Sequence, residues 1–294
     1  MKRIKNKNIQ ALFYLLPSLL IISVFQIYPI IKSFLMGFYT KFDYLSGNVE
    51  KMGLDNFAFV LKDPEFLLAL KNTFVFAVFS VPLGIIFALV FALILDSNIK
   101  FKKFFRSVYF LPFVTSTTAI AIMWKWMLNK DYGLINALLA VLGMPKIAWL
   151  TDPNMTIPML IVLSIWKGLG YKIIIILAGL QNVDKRYISA GKIDGANNIK
   201  RIFNITIPII RPVLIFLFIT SLIGSFKLFD EIYIMYQQKP GPLRSGLTIV
   251  YYIFDKFYRH WEFATAAAAA FILFIIILAV TLIQFLIIKA MDRD

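Results

Sequence analysis

Few residues in this chain are equipped for chemistry, and those few sit in unusual company. Lys167 falls in the middle of a long apolar run, and Lys227, Asp230 and Glu231 fall in the outer half of another. An ionisable group inside such a run is expensive and marks a binding or transport site by default. Lys227 and Asp230 are three residues apart, so a helix would place them on one face, where they can neutralise each other. Ser164, Gly168 and Tyr171 share a face by the same counting. A ring beside hydrogen-bonding groups can cover an apolar face and bond a polar rim. Catalysis is a poor fit: the loops hold no catalytic constellation, and the expectation is that the chain is not an enzyme. Cysteine is absent, which excludes disulfides and thiolate metal sites. His260 is the single histidine, so multi-histidine metal centres are excluded too, and the residue reads as an exposed outer-loop side chain. No glycine-rich loop ending in Gly-Lys-Ser/Thr is present. No cofactor is expected, and if ATP drives this protein, another chain binds it.

The elements that must hold these residues are membrane spans. The chain has 294 residues, 60% of them hydrophobic, against about half in a soluble domain. Six runs reach the roughly 20 residues that a helix needs to cross a bilayer. They cover about 11–33, 73–95, 108–128, 157–180, 212–236 and 264–288. In lipid the backbone must pair internally, so the fold class is an all-α integral membrane protein with six transmembrane helices. Domain organisation follows: residues 1–294 form a single transmembrane domain, with an inner loop at 181–208. The first run has a basic leader like a signal peptide, but it is long, ends at Tyr28-Pro29 and lacks a small-residue cleavage pattern, so it reads as a retained span.

The net charge of +15 does not make a nucleic-acid stripe, because the basic residues punctuate the apolar runs. They set orientation instead. With the N-terminus inside, the inner segments hold about 16 Lys and Arg in roughly 60 residues, and the outer loops about 11 in roughly 105. Both termini are therefore expected to be cytoplasmic, in a multi-pass protein of the cell membrane. In the outer loops Phe57–Leu70 has helical spacing interrupted at Asp63-Pro64, and Gly133–Leu142 reads as a short amphipathic helix. Asn72-Thr73 is a candidate cap opening the second span. Trp124, Trp126 and Trp261 read as interface anchors, and Ser221, Gly224 and Ser225 as helix-packing positions.

The inner loop carries the clearest local signals. Lys185 to Pro208 reads as helix, turn, helix. Asp194-Gly195 breaks the first helix because glycine tolerates positive φ. Asn197 or Asn198 can cap the second, and Pro208 suits a first helical turn. Ser189, Ala190 and Gly191 are small enough to let another surface approach, while Ile199, Ile202, Phe203 and Ile205 need something to pack on.

That segment resembles the "EAA" loop of bacterial ABC importer permeases. Asp194-Gly195-Ala196 and Ile205-Thr206-Ile207-Pro208 match it, with Ile for Leu, and Ser189-Ala190-Gly191 stands where the family has Glu-Ala-Ala. The glutamate's charged contact with an ATPase is therefore absent or taken over by Lys192 or Arg186. Resemblance to the carbohydrate branch runs along nearly the whole chain: Gly53-Leu54-Asp55-Asn56-Phe57, Phe110-Leu111-Pro112, Gly133-Leu134-Ile135-Asn136, Trp166-Lys167-Gly168-Leu169-Gly170-Tyr171 and Phe226-Lys227-Leu228-Phe229-Asp230-Glu231. Gln237 to Pro242 departs from the family's Thr-Gly-Gly-Gly-Pro. The resemblance implies a type I ABC importer permease fold and a sugar or oligosaccharide as cargo. It implies as partners a second permease subunit, two ATP-binding-cassette ATPase subunits, an extracytoplasmic sugar-binding protein and membrane lipid. Ser189, Ala190, Gly191, Asp194, Gly195, Ala196, Ile205 and Pro208 would couple to the ATPase. Gly168, Tyr171, Phe226, Lys227 and Asp230 would line the substrate path. Rival readings are a permease of the same kind for another solute, such as glycerol phosphate, an ion-coupled secondary transporter, and a structural membrane subunit. The second predicts inverted repeats, which the sequence does not display, and the third leaves the inner loop without a purpose.

Overall fold

The computed structural model describes residues 2–42, 48–97 and 100–291. Met1, 43–47, 98–99 and 292–294 lie outside the described residues, and with them parts of the first outer loop, the first inner loop and both termini. In chain order the helices are α1 (Lys2–Ile22), α2 (Tyr28–Met36), α3 (Asp55–Lys62), α4 (Pro64–Asp96), α5 (Lys102–Val114), α6 (Thr117–Met127) and α7 (Leu134–Val141). Then come α8 (Pro153–Gln181), α9 (Lys185–Ile193), α10 (Asn198–Arg201), α11 (Ile207–Ser225), α12 (Asp230–Met235), α13 (Ile249–Phe254) and α14 (Phe263–Met291). A small antiparallel ribbon of β1 (Tyr39–Phe42) and β2 (Val49–Met52), irregular in register, adds strands that hydropathy alone did not suggest.

Among the described residues five helices are long and apolar enough to cross a membrane: Phe13–Met36, Pro64–Asp96, Pro153–Gln181, Asn198–Ser225 and Phe263–Ala290. They correspond to the first, second, fourth, fifth and sixth expected spans. The third is different. Residues 108–128 do not form one rod; α5 and α6 meet at a bend of 100° at Thr115-Ser116. A hydropathy window registers composition and is blind to that break. The fifth span is also displaced. Its helix begins at Asn198 and stops at Ser225, so 226–236 lie beyond it in a break and a separate short helix.

Among the described residues three turns are wound wider than an α-helix, at Ser23–Ile27, Ile202–Thr206 and Asp255–Arg259. In the first two a proline follows. The Tyr28 N–H reaches back five residues to the Ser23 carbonyl just before Pro29, and the Ile207 N–H reaches Ile202 just before Pro208. A proline ring collides with the carbonyl one α-turn back, and the wider turn moves that carbonyl aside. Pro208 is therefore not the start of a helix, as its sequence context suggested, but a position inside a continuous rod.

The chain forms two compact units, Met1–Phe66 with Tyr252–Ile276, and Leu67–Tyr251 with Ile277–Asp294. In the first, aromatic rings make the core: Phe34 lies 4.4 Å from Phe271 and Phe38 4.9 Å from Phe57. The Asn56 amide donates to the Gly37 and Tyr39 carbonyls, both at 3.0 Å, pinning the ribbon to α3. The Tyr252 hydroxyl donates to Asp63 at 2.7 Å, and Lys256 pairs with Glu262 at 3.1 Å. Burial, with Asp63 beside it, pushes the Tyr252 phenol far above its ordinary range.

In the second unit the core lies between α4, α5, α8 and α11, around Ala88, Leu95, Ile173, Ile176 and Leu217. Close helix approach rests on glycine. A Cβ on Gly170 would stand 2.1 Å from the Tyr109 carbonyl oxygen. Asn136, 1% exposed, closes the segment after α6 by itself. Its amide donates to the Lys130 and Ile147 carbonyls, and its oxygen accepts from the Ile147 N–H and the Trp149 indole. Asn72 and Thr73 do not cap α4; they lie inside it. Asn72 donates to the Ser245 and Leu247 carbonyls, and Thr73 accepts from the Ile249 N–H. Residue types that cap a helix here tie it to chain more than 170 residues away.

Candidate functional site

Two sites emerge, one among the spans and one on the inner loop. The first is a cavity of 390 Å³ within the second unit. The middle of α8 supplies Ser164, Lys167, Gly168, Tyr171 and Lys172 to its wall, and the end of α11 supplies Thr220, Ser221, Gly224 and Ser225. Lys227 comes from the break that follows, and Asp230 and Glu231 from the first turn of α12.

This geometry reorganises the sequence-based pairing. Lys227 and Asp230 both face the cavity but do not share a helix, because α11 has ended at Ser225. The ion pair that forms is Lys167 with Glu231, Nζ to Oε1 at 2.8 Å. The same ammonium donates to the Thr117 hydroxyl at 2.7 Å. The side chains are 22% and 14% exposed, so this pair links α6, α8 and α12 where water is scarce. Glu231 as the partner of Lys167 was hidden by a separation of 64 residues.

Tyr171 lines the cavity with Phe113 stacked on it, ring centroids 5.1 Å apart and planes 20° off parallel. Phe113 directly follows the Leu111-Pro112 pair and went unremarked in the sequence. Gly168 lines the cavity as well. Phe226 does not: it is 1% exposed and packs edge-to-face on Phe74 at 5.2 Å. Gly224 is no packing position, since a Cβ there would meet nothing within 4 Å; it opens onto the cavity. Trp124 is no interface anchor either, being 8% exposed and set against Trp166 at 5.7 Å, whereas Trp126 and Trp261 are exposed. His260 is exposed, with Nδ1 3.0 Å from the Asp255 carbonyl.

On the inner loop, local signals act as their types predict. Asp184 caps α9 by accepting from the Arg186 N–H at 2.9 Å. The Arg186 guanidinium also bonds the Asp184 carboxylate, holding its pKa below the usual range and raising that of Arg186. Arg186 is thus engaged within the loop, and Lys192 is an exposed cation near Ser189. The helix ends in a glycine stop. Gly195 takes φ +76°, its N–H bonds the Lys192 carbonyl, and the Ala196 N–H bonds Gly191. Asn197 caps α10 through the Lys200 N–H. Gly191 serves the loop itself, since a Cβ there would fall 2.7 Å from Ile205 Cδ1. Ser189 and Ala190 stay exposed, as does Asp194, while Ala196 and Ile205 are half-buried and Pro208 is exposed on the rod. Around them Tyr187, Ile193, Ile199 and Phe203 leave large apolar surfaces uncovered, 60% to 87% exposed.

Residues 80–293 match the family described as the binding-protein-dependent transport system inner membrane component. The chain is 36% identical over 283 residues to the lactose transport system permease protein LacF of Rhizobium radiobacter, covering 95% of this chain and 93% of that one. It is 34% identical over 281 residues to the arabinooligosaccharides transport system permease protein AraP of Bacillus subtilis (strain 168), covering 95% and 88%. A bacterial ABC transporter structure involved in the import of the acidic polysaccharide alginate shares the fold, with TM-score 0.85 at 24% identity over 100% of this chain and 99% of that one.

Proposed function

The chain belongs to the family of inner membrane components of binding-protein-dependent transport systems, and from that premise we propose that it moves a sugar or oligosaccharide into the cell. It works as one permease subunit beside a second, takes cargo from an extracytoplasmic binding protein, and is driven by two ATPase subunits that bind the ATP. It performs no catalysis itself. The observation that carries this reading is the pairing of two features on one polypeptide. A polar, aromatic-walled cavity lies among the spans, and the rod that lines it, Asn198–Ser225, begins in a loop with an uncovered apolar surface. A rigid helix seated in a moving partner passes displacement to the span joined to it. The relatives LacF and AraP, named for lactose and arabinooligosaccharides, support a saccharide cargo. Glycerol phosphate is the second reading, supported by a relative, 29% identical, named for its transport.

In this reading Ile193, Ile199 and Phe203 seat in the ATPase, Ser189 and Ala190 allow its close approach, and Lys192 meets an acidic group there. Affinity purification of the tagged chain from native membranes will recover a second permease and a P-loop ATPase. Phe203→Asp will lose the ATPase and keep the permease. Gly195→Val will do the same, although nothing stands within 4 Å of that position, because a branched residue at φ +76° costs on the order of 1–2 kcal/mol. Gly195→Asn, which tolerates that conformation, will retain it. Undiminished ATPase recovery with Phe203→Asp refutes the docking role.

For the cargo path, Gly168, Tyr171, Lys227 and Asp230 are proposed to meet substrate, and Phe226 to support them from behind. Tyr171→Ala removes one plate of a stacked pair and will lower uptake about tenfold, the equivalent of some 1.4 kcal/mol. Tyr171→Phe will keep most of it. Equal uptake by wild type and Tyr171→Ala takes the ring out of the path.

A further inference from the structure

A charge held inside a membrane needs a counter-charge, and the cavity does not balance. It presents three ammonium groups, Lys167, Lys172 and Lys227, and two carboxylates, Asp230 and Glu231. Lys167 and Glu231 cancel at 2.8 Å. Lys172 and Lys227 then stand against Asp230 alone, leaving one positive charge over.

Lys172 is the group to explain. It lies nine residues before the end of α8 at Gln181, about 14 Å along the helix at 1.5 Å per residue. That places it well inside a helix long enough to cross a hydrocarbon core about 30 Å thick. Among the described residues no carboxylate is within ion-pair distance of it and no side chain or carbonyl accepts its hydrogen bonds. Small residues border it. A Cβ on Gly168 would stand 2.9 Å from Nζ, and one on Gly84 3.6 Å from Nζ and from Cε. Glycines on its own helix and on α4 thus border the space that the ammonium occupies. The stacked Phe113 and Tyr171 rings and the Ser80, Ser164 and Ser221 hydroxyls face the same space.

We propose that the cargo is an anionic sugar, one bearing a carboxylate, sulfate or phosphate, and that its oxyanion pairs with Lys172 in the cavity among the spans. The proposal rests on the saccharide-permease reading above and adds the charge of the substrate. Rings take the apolar face of a pyranose, hydroxyls its rim, and the spare ammonium its acid group.

The test uses the whole importer with its own binding protein, reconstituted in lipid vesicles. The probes are a uronate, a sulfated, a phosphorylated and a neutral disaccharide, with glycerol 3-phosphate beside them. Wild type is expected to take up at least one of the three acidic disaccharides, and the arm that works names the acid group. Lys172→Gln is expected to lower that uptake about tenfold or more, and Lys172→Arg to keep it within about threefold, in line with the value of a charge-assisted hydrogen bond. The amount of assembled importer should be the same in all three. Preference for the neutral disaccharide, kept by Lys172→Gln, overturns the charge assignment and leaves the saccharide reading standing. Equal loss of neutral and acidic uptake in Lys172→Gln overturns it too, because it makes the lysine structural. Uptake of glycerol 3-phosphate alone overturns the saccharide reading itself.

Discussion

Exchanging Lys167 for methionine is expected to cut transport at least about 100-fold and to reduce the amount of assembled protein. The substitution removes one member of a pair 2.8 Å apart in the middle of a span and strands the Glu231 carboxylate where little solvent reaches it. Breaking such a pair from one side costs about 3–5 kcal/mol, and each 1.4 kcal/mol is roughly tenfold. The same reasoning makes the double variant informative. Lys167→Met with Glu231→Leu removes both charges, and replacing a buried pair by apolar groups is often close to neutral. Its yield and thermal stability in detergent should return toward wild type, while transport stays impaired if α12 needs the tie to α6 and α8. A double variant as unstable as Lys167→Met alone would mean that the pair is not what the single substitution disrupts.

Gly170→Val is expected to leave almost no folded chain in the membrane, and Gly170→Ala only a reduced amount. The reason is steric and local. The added atom would stand 2.1 Å from the Tyr109 carbonyl oxygen, 2.7 Å from its carbon and 2.8 Å from Phe110 Cα. All three are backbone, so no rotamer change can relieve the overlap, and α5 must draw away from α8. Ordinary overpacking of a core costs about 1–3 kcal/mol, and a backbone collision sits at or beyond the upper end. Gly224→Ala is the control, because that glycine faces open space and its alanine variant should accumulate like wild type. Membrane abundance by immunoblot, with size-exclusion profiles of the solubilised protein, separates the two. Normal accumulation of Gly170→Val would show that α5 and α8 do not approach this closely.

These two contacts also show what a linear reading can and cannot reach. The inner loop was legible because its signals are spent within a few residues: Gly195 turns its own chain, and Asn197 caps the next turn. The straight spans were legible because length and apolarity are all a bilayer asks of them. The 100° bend at Thr115-Ser116 was not, since a bent pair and a straight rod have the same composition. Asn72-Thr73 invited a cap because the hydroxyl and amide that cap helices also satisfy distant carbonyls. Lys227 and Asp230 were paired on the assumption of a continuing helix, and the helix stops two residues short of Lys227. In each case a local rule was applied where a partner far along the chain decides.

The wide turn at Ile202–Thr206 has a consequence for how the inner loop is aimed. An α-helix advances about 100° per residue, so one surplus residue in a turn throws everything beyond it a quarter-revolution and more out of step. The surface around Ile199 and the cavity-facing stripe of α11 therefore belong to two differently clocked wheels on a single axle. Their relative bearing is set in whole residues and has no intermediate values. Pro208 holds that setting, because its ring would collide with the carbonyl behind it if the surplus residue were closed up. The direction in which the loop faces its partner is thus indexed by a count of residues rather than by the strength of any one contact.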